Sequence, residues 1–253
     1  MSSANNSSSL VSKMIPYLIF FAGFVGLYFL YQYLFGPKTG SSYTLLAKKQ
    51  SAIVDTAAPI IIDSSKLPRL YEGGEFSVST WIYVNNWTHR MNSNKPILII
   101  GGTNFDTLYM YLGATKPSLK VRFHTKESSP ASQTNTTVAQ PKSNRDAIFG
   151  DYSTAGISSL LDDSTICDIP EIDLQRWINI VVAVNGKTVD VYIDGKLTRS
   201  CVLPATFKVD SGGYSALVLP YNGFGGQISK TEMYDAALYP EAVYKNYMMG
   251  PAL

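Results

Sequence analysis

The chain has 253 residues, of which 45% are hydrophobic and 16% charged, and a formal net charge of +2. That length suits one folded domain with appendages, and so small a charge gives no electrostatic basis for binding nucleic acid. Few charges alongside 17 Tyr and 19 Gly describe an all-β protein with many turns, and two cysteines, Cys167 and Cys201, permit at most one internal disulfide.

Residues 1–13 are polar and predict a disordered tail. Met14 to Phe35 follows without a charge, and Gln32 is its only strongly polar side chain. The run matches the roughly 20 residues that cross a bilayer core. Tyr17, Tyr28, Tyr31 and Tyr33 lie toward its ends, where amphipathic rings favour the membrane interface. A cleaved signal peptide would have an apolar core of only ~7–15 residues and a small-residue cleavage site. A buried core helix would show a polar stripe, which is absent, so the segment reads as a single transmembrane anchor. Gly23 and Gly26 lack the GxxxG spacing and imply no helix dimer. Lys13 precedes the segment and Lys38, Lys48 and Lys49 follow it, a bias that places the C-terminal domain on the cytoplasmic side.

Residues 36–58 open with Gly-Pro and read as a juxtamembrane linker, and residues 59–253 as the folded domain. From Pro59-Ile-Ile-Ile-Asp63 onward the chain reads as strand and turn almost throughout, with an alternating strand over Phe76 to Val84 and apolar runs over Pro96 to Ile100 and Leu108 to Leu112. Leu119-Lys-Val-Arg-Phe123 predicts a half-buried strand with both charges on one face. Residues 126–147, rich in Ser, Thr, Asn, Pro and Gln, predict a long surface loop.

The centre of the domain is a meander over Leu174 to Cys201. Asn185-Gly186 between two β-branched runs predicts a type I′ hairpin. With those residues as the loop, Val184 faces Lys187, Val182 faces Val189, Ile180 faces Val191 and Ile178 faces Ile193. At Asp194-Gly195 a three-residue bulged turn is expected instead, because it keeps Leu197 on the apolar face with Val191 and Ile193. One greasy face results, which a second sheet must cover. Ser215 to Leu219 and a glycine-marked strand over Gly223 to Ser229 follow, and Tyr239 to Tyr247 predicts a short helix with Pro240 in its first turn.

Phe76-Ser-Val-Ser-Thr-Trp-Ile-Tyr83 resembles the opening strand of the laminin-G-like (concanavalin A-like) jelly-roll domains. Leu174-x-x-Trp177-Ile-Asn-Ile-Val-Val and Val191-Tyr-Ile-Asp-Gly-Lys-Leu197 resemble their central signature. Phe224-Gly-Gly-Gln-Ile228 and Met233-Tyr-Asp-Ala-Ala-Leu-Tyr-Pro-Glu-Ala-Val243 resemble their closing strand and terminal helix. The resemblance covers roughly residues 59–250 and implies two packed antiparallel sheets of about a dozen strands. Cys167-Asp-Ile-Pro170, Arg199-Ser-Cys201 and the preceding membrane helix resemble membrane-associated minor capsid proteins of large nucleocytoplasmic DNA viruses of algae. That resemblance implies a place between a virion's internal membrane and its capsid.

Several constellations carry chemistry on paper. Glu171-Ile-Asp173 places two acids at alternate positions, as retaining glycosidases of this fold do, but that family's motif looks like Glu-x-Asp-x-x-Glu and its last place here is Arg176. Asp210-Ser-Gly-Gly213 is similar to a serine-protease nucleophile segment, with Val209 in place of the leading glycine and only His89 and His124 to serve as base. It reads better as a turn. Gly223-Phe-Gly-Gly226 lacks the strand-to-helix unit of a phosphate loop. The His and Cys spacings suit no metal site, whereas Asp106, Asp162 and Asp163 are loop acids that a Ca2+ ion could use. Cys167 and Cys201 flank the meander and could staple its lead-in to its third strand. A disulfide suits an oxidising compartment and the lysine bias suits the cytoplasm. A virus that supplies its own thiol oxidase would reconcile them. Asn5, Asn6, Asn86 and Asn135 head glycosylation sequons that matter only in a secretory lumen.

These residues make no complete catalytic or metal-binding set. The first expectation is therefore a non-enzymatic structural protein, anchored in the lipid bilayer through Met14 to Phe35 and docked onto other capsid proteins. The second is a membrane-displayed lectin, with Trp87 or Tyr221 exposed over a shallow groove for glycans. The third is a glycosidase using Glu171 and Asp173.

Overall fold

The computed structural model describes residues 5–35, 40–56, 58–125, 145–149 and 167–252. They form two compact units, Met1–Lys38 and Thr39–Leu253. The first carries α1 (Asn5–Phe35). The helix thus takes in polar residues expected to be a tail, because extending a helix adds a backbone hydrogen bond per residue once the apolar stretch has nucleated it.

The second unit starts earlier than the sequence suggested. Residues expected to be linker supply β1 (Ser42–Leu46) and β2 (Gln50–Ser51), and both pair with β12. Leu45 and Ala52 are buried there, which is the gain that draws the segment into the sheet. The remaining elements are β3 (Ile60–Asp63), a short 3-10 turn, β4 (Glu75–Asn86), β5 (Lys95–Gly102), β6 (Asp106–Leu112) and β7 (Leu119–Phe123). Then come α2 (Arg145–Phe149), β8 (Trp177–Asn185), β9 (Thr188–Ile193), β10 (Lys196–Val202), β11 (Tyr214–Val218), β12 (Gly225–Tyr234) and α3 (Pro240–Met248).

The strands form two antiparallel sheets packed as a sandwich. One runs β1-β12-β4-β8-β9-β10, with β2 also on β12, and the other runs β3-β11-β5-β6-β7. Alternation decides what each strand buries. Phe76, Val78, Ile82 and Val84 of β4 enter one continuous core with Ile178, Ile180, Val182 and Val184 of β8 and with Met110, Val121 and Phe123 of the other sheet. The opposite face of β4 is not left in water. α3 covers it, with Val243 and Leu238 packing on Val181, Ala183 and Tyr192, and Tyr247 stacking on Trp81 at 5.6 Å. Pro240 occupies the first turn of that helix, where its missing N–H costs nothing. The charged face of β7 is covered too, since Lys120 and Arg122 are only 6% and 8% exposed.

Both central turns differ from expectation. Asn185 pairs with Thr188, which makes Gly186-Lys187 the loop, and Gly186 has φ +61°. Glycine in the first central position of a two-residue loop gives a type II′ turn. Val184 therefore faces Val189 rather than Lys187, while each apolar side chain keeps its face. At the second turn Ile193 pairs with Lys196, and Asp194 (φ +51°) with Gly195 (φ +75°) forms a two-residue type I′ loop. Asp194 is held there by accepting the Asn179 N–H at 2.9 Å. Leu197 consequently points outward, 53% exposed, and the expected bulge lies after the turn, between Leu197 and Arg199. That bulge resets the alternation, so Cys201 faces inward opposite Val189.

The glycines of Gly223-Phe-Gly-Gly226 serve close approach. A Cβ on Gly225 would lie 2.1 Å from the Asn86 carbonyl oxygen, and one on Gly226 would lie 2.0 Å from that of Tyr83. Only glycine lets β12 lie against β4 here.

Cys167 and Cys201 form a disulfide with their Cα atoms 5.5 Å apart. Ile169 bridges to Leu119 on β7, the edge of one sheet, and Cys201 lies on β10, the edge of the other. The bond therefore ties the two layers together on one side of the sandwich. Its closed loop spans 34 residues, which the chain-entropy relation converts to about 4 kcal/mol. Urea unfolding with and without reductant should show a loss of that order, and Cys167→Ser/Cys201→Ser should reproduce the reduced curve.

Candidate functional site

The most exposed apolar surface lies on α1. Met14–Tyr31 has a mean hydropathy of 1.8 and none of it is buried, with Tyr17 77% and Phe20 70% exposed. A helix satisfies its own backbone hydrogen bonds, so an all-apolar exterior of this length is what a bilayer accepts. Phe35 is the last described residue of the helix.

Of the candidate catalytic groups, Asp173, Asp210 and His89 have structural partners, and Glu171 is exposed. Residues 171–173 lie in an irregular lead-in rather than a strand, so the alternate-position geometry of paired acids does not apply to Glu171 and Asp173. Arg176 binds Asp173 and Asp194 at 2.6 Å each, and the residue that breaks the glycosidase pattern is thus the one that neutralises its second acid. Asp210 caps a turn. Its carboxylate accepts the backbone N–H of Asn104 at 2.5 Å and of Gly212 at 2.9 Å, and the Asn104 side-chain amide at 3.0 Å. Burial opposes its ionisation, but these donors outweigh burial and hold its pKa below the usual carboxylate range. His89 Nε2 lies 3.0 Å from the Asn222 carbonyl oxygen. His124 packs its ring on Phe105 at 4.2 Å, and burial and then Lys208 lower its pKa against the pull of Asp106.

Asp106 is fully buried, and both its oxygens are engaged. Arg145 reaches it through Nε at 2.6 Å and through a second guanidinium nitrogen, and Tyr109 donates its hydroxyl at 2.5 Å. Burial, followed by Asp106, raises the Tyr109 pKa. For Arg145 burial pulls the pKa down, but hydrogen bonding to Asp106 and its charge outweigh that and raise it. Asp106 is therefore a partner for arginine rather than for calcium. Asp162, Asp163 and Asn135 lie outside the described residues, as does most of the expected 126–147 loop. Among the described residues no three His, Cys, Asp or Glu side chains cluster as a metal site. Asn86 is exposed, and its Oδ1 accepts from the backbone and hydroxyl of Thr88. Asn5 and Asn6 lie in α1.

The aromatic candidates are not bare platforms. Trp87 is half-buried against the core, with Lys95 Nζ 4.2 Å from its ring centroid. Lys95 is fully buried and donates to the carbonyls of Ser93 at 3.3 Å and Ala114 at 3.2 Å. Burial and then the neighbouring Arg90 bring its pKa down to about 8. Tyr221 is half-buried and stacks on Phe149 at 5.5 Å.

What the sequence did not reveal is the cup that holds α2. On the outer face of the second sheet, Phe149 is 1% exposed and packs on Tyr109 (6.0 Å), Tyr111 (5.4 Å) and Tyr221. Ile99 joins the same cluster. Asn94 donates to the Ile148 carbonyl at 3.0 Å, and Arg90 to those of Phe149 and Tyr221. The faint signals in the sequence were Asp106 three residues before Tyr109 in a strand and an Arg-x-x-x-Phe spacing inside a polar segment.

No family model matches the chain, and no curated protein matches it. Solved structures do match in fold. The ligand-binding domain of botulinum neurotoxin serotype D, solved with N-acetylneuraminic acid, aligns over 80% of this chain and 42% of its own at 15% identity and a TM-score of 0.49. Another structure of the serotype D binding domain aligns over 83% and 46% at 14% identity, TM-score 0.49. The binding domain of Paraclostridial Mosquitocidal Protein 1 aligns over 82% and 47% at 12% identity, TM-score 0.47. The chain spans less than half the length of these structures, and no ligand or activity passes with the likeness.

Two measurements check these assignments. Lys95 binds its proton less tightly folded than unfolded, so stability should climb as pH rises from about 8 toward 10. Above that, unfolded tyrosines ionise while Tyr109 and Tyr234 stay neutral in the fold, and stability should fall again. Thermal melts across this range should show the rise in the wild type and lose it in Lys95→Met. Asp106→Ala should cost roughly 3–5 kcal/mol in chemical denaturation by stranding Arg145, and Asp106→Leu/Arg145→Leu should recover most of it.

Proposed function

We propose that this chain is a single-pass membrane protein whose β-sandwich works by adhesion rather than catalysis, as a minor structural component tying a virion's internal membrane to its protein shell. The observation that carries the reading is the wholly unburied apolar stretch Met14–Tyr31, ahead of a domain with a core of its own. Three of the candidate acids support it, since Asp106, Asp173 and Asp210 are committed to arginines or to a turn. The resemblance of Cys167-Asp-Ile-Pro170 and Arg199-Ser-Cys201 to minor capsid proteins supplies the shell. The flanking lysines favour a cytoplasmic, capsid-side domain, and the formed disulfide calls for oxidation. A domain oxidised during particle assembly meets both conditions. Trp87 lies under Lys95 and Tyr221 on Phe149, each half-buried, so less of either ring is open to a sugar than the lectin alternative asks.

The full chain should float with phospholipid vesicles and resist alkaline carbonate. Phe21→Arg/Val25→Arg, which puts two charges at the middle of the span at roughly 2.5–3.5 kcal/mol each, should release it to the soluble fraction. Carbonate extraction of the wild type would sink the anchor. Particles stripped of this chain with membrane and shell still joined would sink the structural role, and a glycan array that binds the 39–253 fragment would favour the lectin.

A further inference from the structure

Among the described residues Lys230 alone, apart from glycines, takes a left-handed φ inside a strand, at +43°. Such a residue persists only where its surroundings hold it. It lies in the bulge of β12 between Ser229 and Glu232, and a bulge re-aims the side chain it carries. Here the amine is aimed at α3, where Nζ donates to Oδ1 of Asn246 at 3.0 Å. Asn246 is 4% exposed, and its amide nitrogen donates to Ser79 Oγ at 3.0 Å and to the Tyr234 hydroxyl oxygen at 3.1 Å. Those two bonds hold the carboxamide with its oxygen toward the lysine. The Tyr234 hydroxyl in turn donates to Glu232 Oε2 at 2.8 Å. Tyr234 packs in the apolar seam with Leu238 and Val243. Burial, followed by Glu232, raises its pKa, so the phenol keeps its proton.

An amine, a fixed carboxamide and a proton donor beside the nitrogen that would leave are the parts of an acyl transfer. We propose that Lys230 and Asn246 join in an isopeptide bond that ties β12 to α3. The neutral Lys230 amine adds to Cγ of Asn246, and the Cγ–Nδ2 bond breaks. Tyr234 gives its proton to the departing nitrogen, which leaves as ammonia, and regains the proton that the amine releases. No oxidant, metal or second molecule enters the balance. Amides resist amines in free solution, but a pair held in contact gains effective molarities on the order of 10⁵–10⁸ M. The two residues lie 16 positions apart, and it is the fold that brings them together. As a hydrogen bond alone the pair would position α3 and do nothing more. The step needs neither a bilayer nor a partner, and it stands apart from the adhesive reading.

Mass spectrometry of the full-length chain, purified in detergent and then denatured, tests the bond directly. The wild type should weigh one ammonia less than its sequence. Trypsin should release residues 209–245 joined to residues 246–253, because a linked Lys230 no longer offers a cleavage site. Lys230→Arg should keep its full mass and give the separate linear peptides. Tyr234→Phe keeps the ring and removes the proton, and in pulse-labelled cells it should lengthen the half-time of the mass loss by about a hundredfold. A wild-type chain that shows the near-ultraviolet circular dichroism of a folded domain and carries its full mass would overturn the proposal. Ammonia lost without the branched peptide would put the loss at another residue and overturn it as well. An unchanged half-time in Tyr234→Phe would overturn the route given to the proton.

Discussion

The sandwich depends on the two-residue repeat of extended backbone and on the places where that repeat is reset. Each strand offers one face to the shared core, and a slip of one residue would exchange its faces. β12 shows how the chain protects this arrangement. Its pairing with β4 shifts between Ser229 and Glu232, and Lys230 takes a φ of +43°. Ile228 and Met233, five positions apart, thereby both point inward. β10 uses the same device after Leu197. In both strands one extra residue corrects a parity that the apolar pattern alone would have broken.

The outer faces are covered by different chemistries. α3 settles on the first sheet through a mixed seam in which apolar contacts sit beside polar hooks. Asn246 donates to Ser79 at 3.0 Å and to Tyr234 at 3.1 Å while accepting from Lys230 at 3.0 Å. Leu238 and Ser77 add a further bond at 2.8 Å. Such hooks fix where along the sheet the helix lies, which apolar packing alone would leave free to slide. On the second sheet buried cations do comparable work. Arg122 pairs with Asp168 and Arg145 with Asp106, each within reach of a partner that satisfies it. Among the described residues no carboxylate pairs with Lys95, which is held by carbonyls and the face of Trp87 and is easier to deprotonate.

Much of this was legible in the sequence because period-two patterns report burial directly. β4, β6, β7 and β8 lie where their alternating residues place them, and the apolar helix is plain from length and the absence of charge over Met14–Tyr31. The turns were less legible. Asn185-Gly186 and Asp194-Gly195 each fit two loop types, and the choice is made by distant groups such as Asn179 and the Gly74 carbonyl, which accepts from Gly186. The first two strands were missed because their reward is contact with β12, nearly two hundred residues away in the chain. Trp87 looked like an exposed binding ring for a similar reason, since Lys95, which covers it, lies beyond a loop of no regular pattern. The α2 cup is the extreme case. Its described residues, Arg145–Phe149, carry too little periodicity to announce a helix.

The cross-link between Cys167 and Cys201 also governs how damage to this molecule would be seen. A peptide bond severed anywhere between the two cysteines leaves both fragments covalently joined, and the fragments remain paired within the first sheet. Nicked chains would then migrate with intact ones on a denaturing gel and separate only after thiol treatment. Any maturation cleavage within the meander or its lead-in would be silent under oxidising conditions.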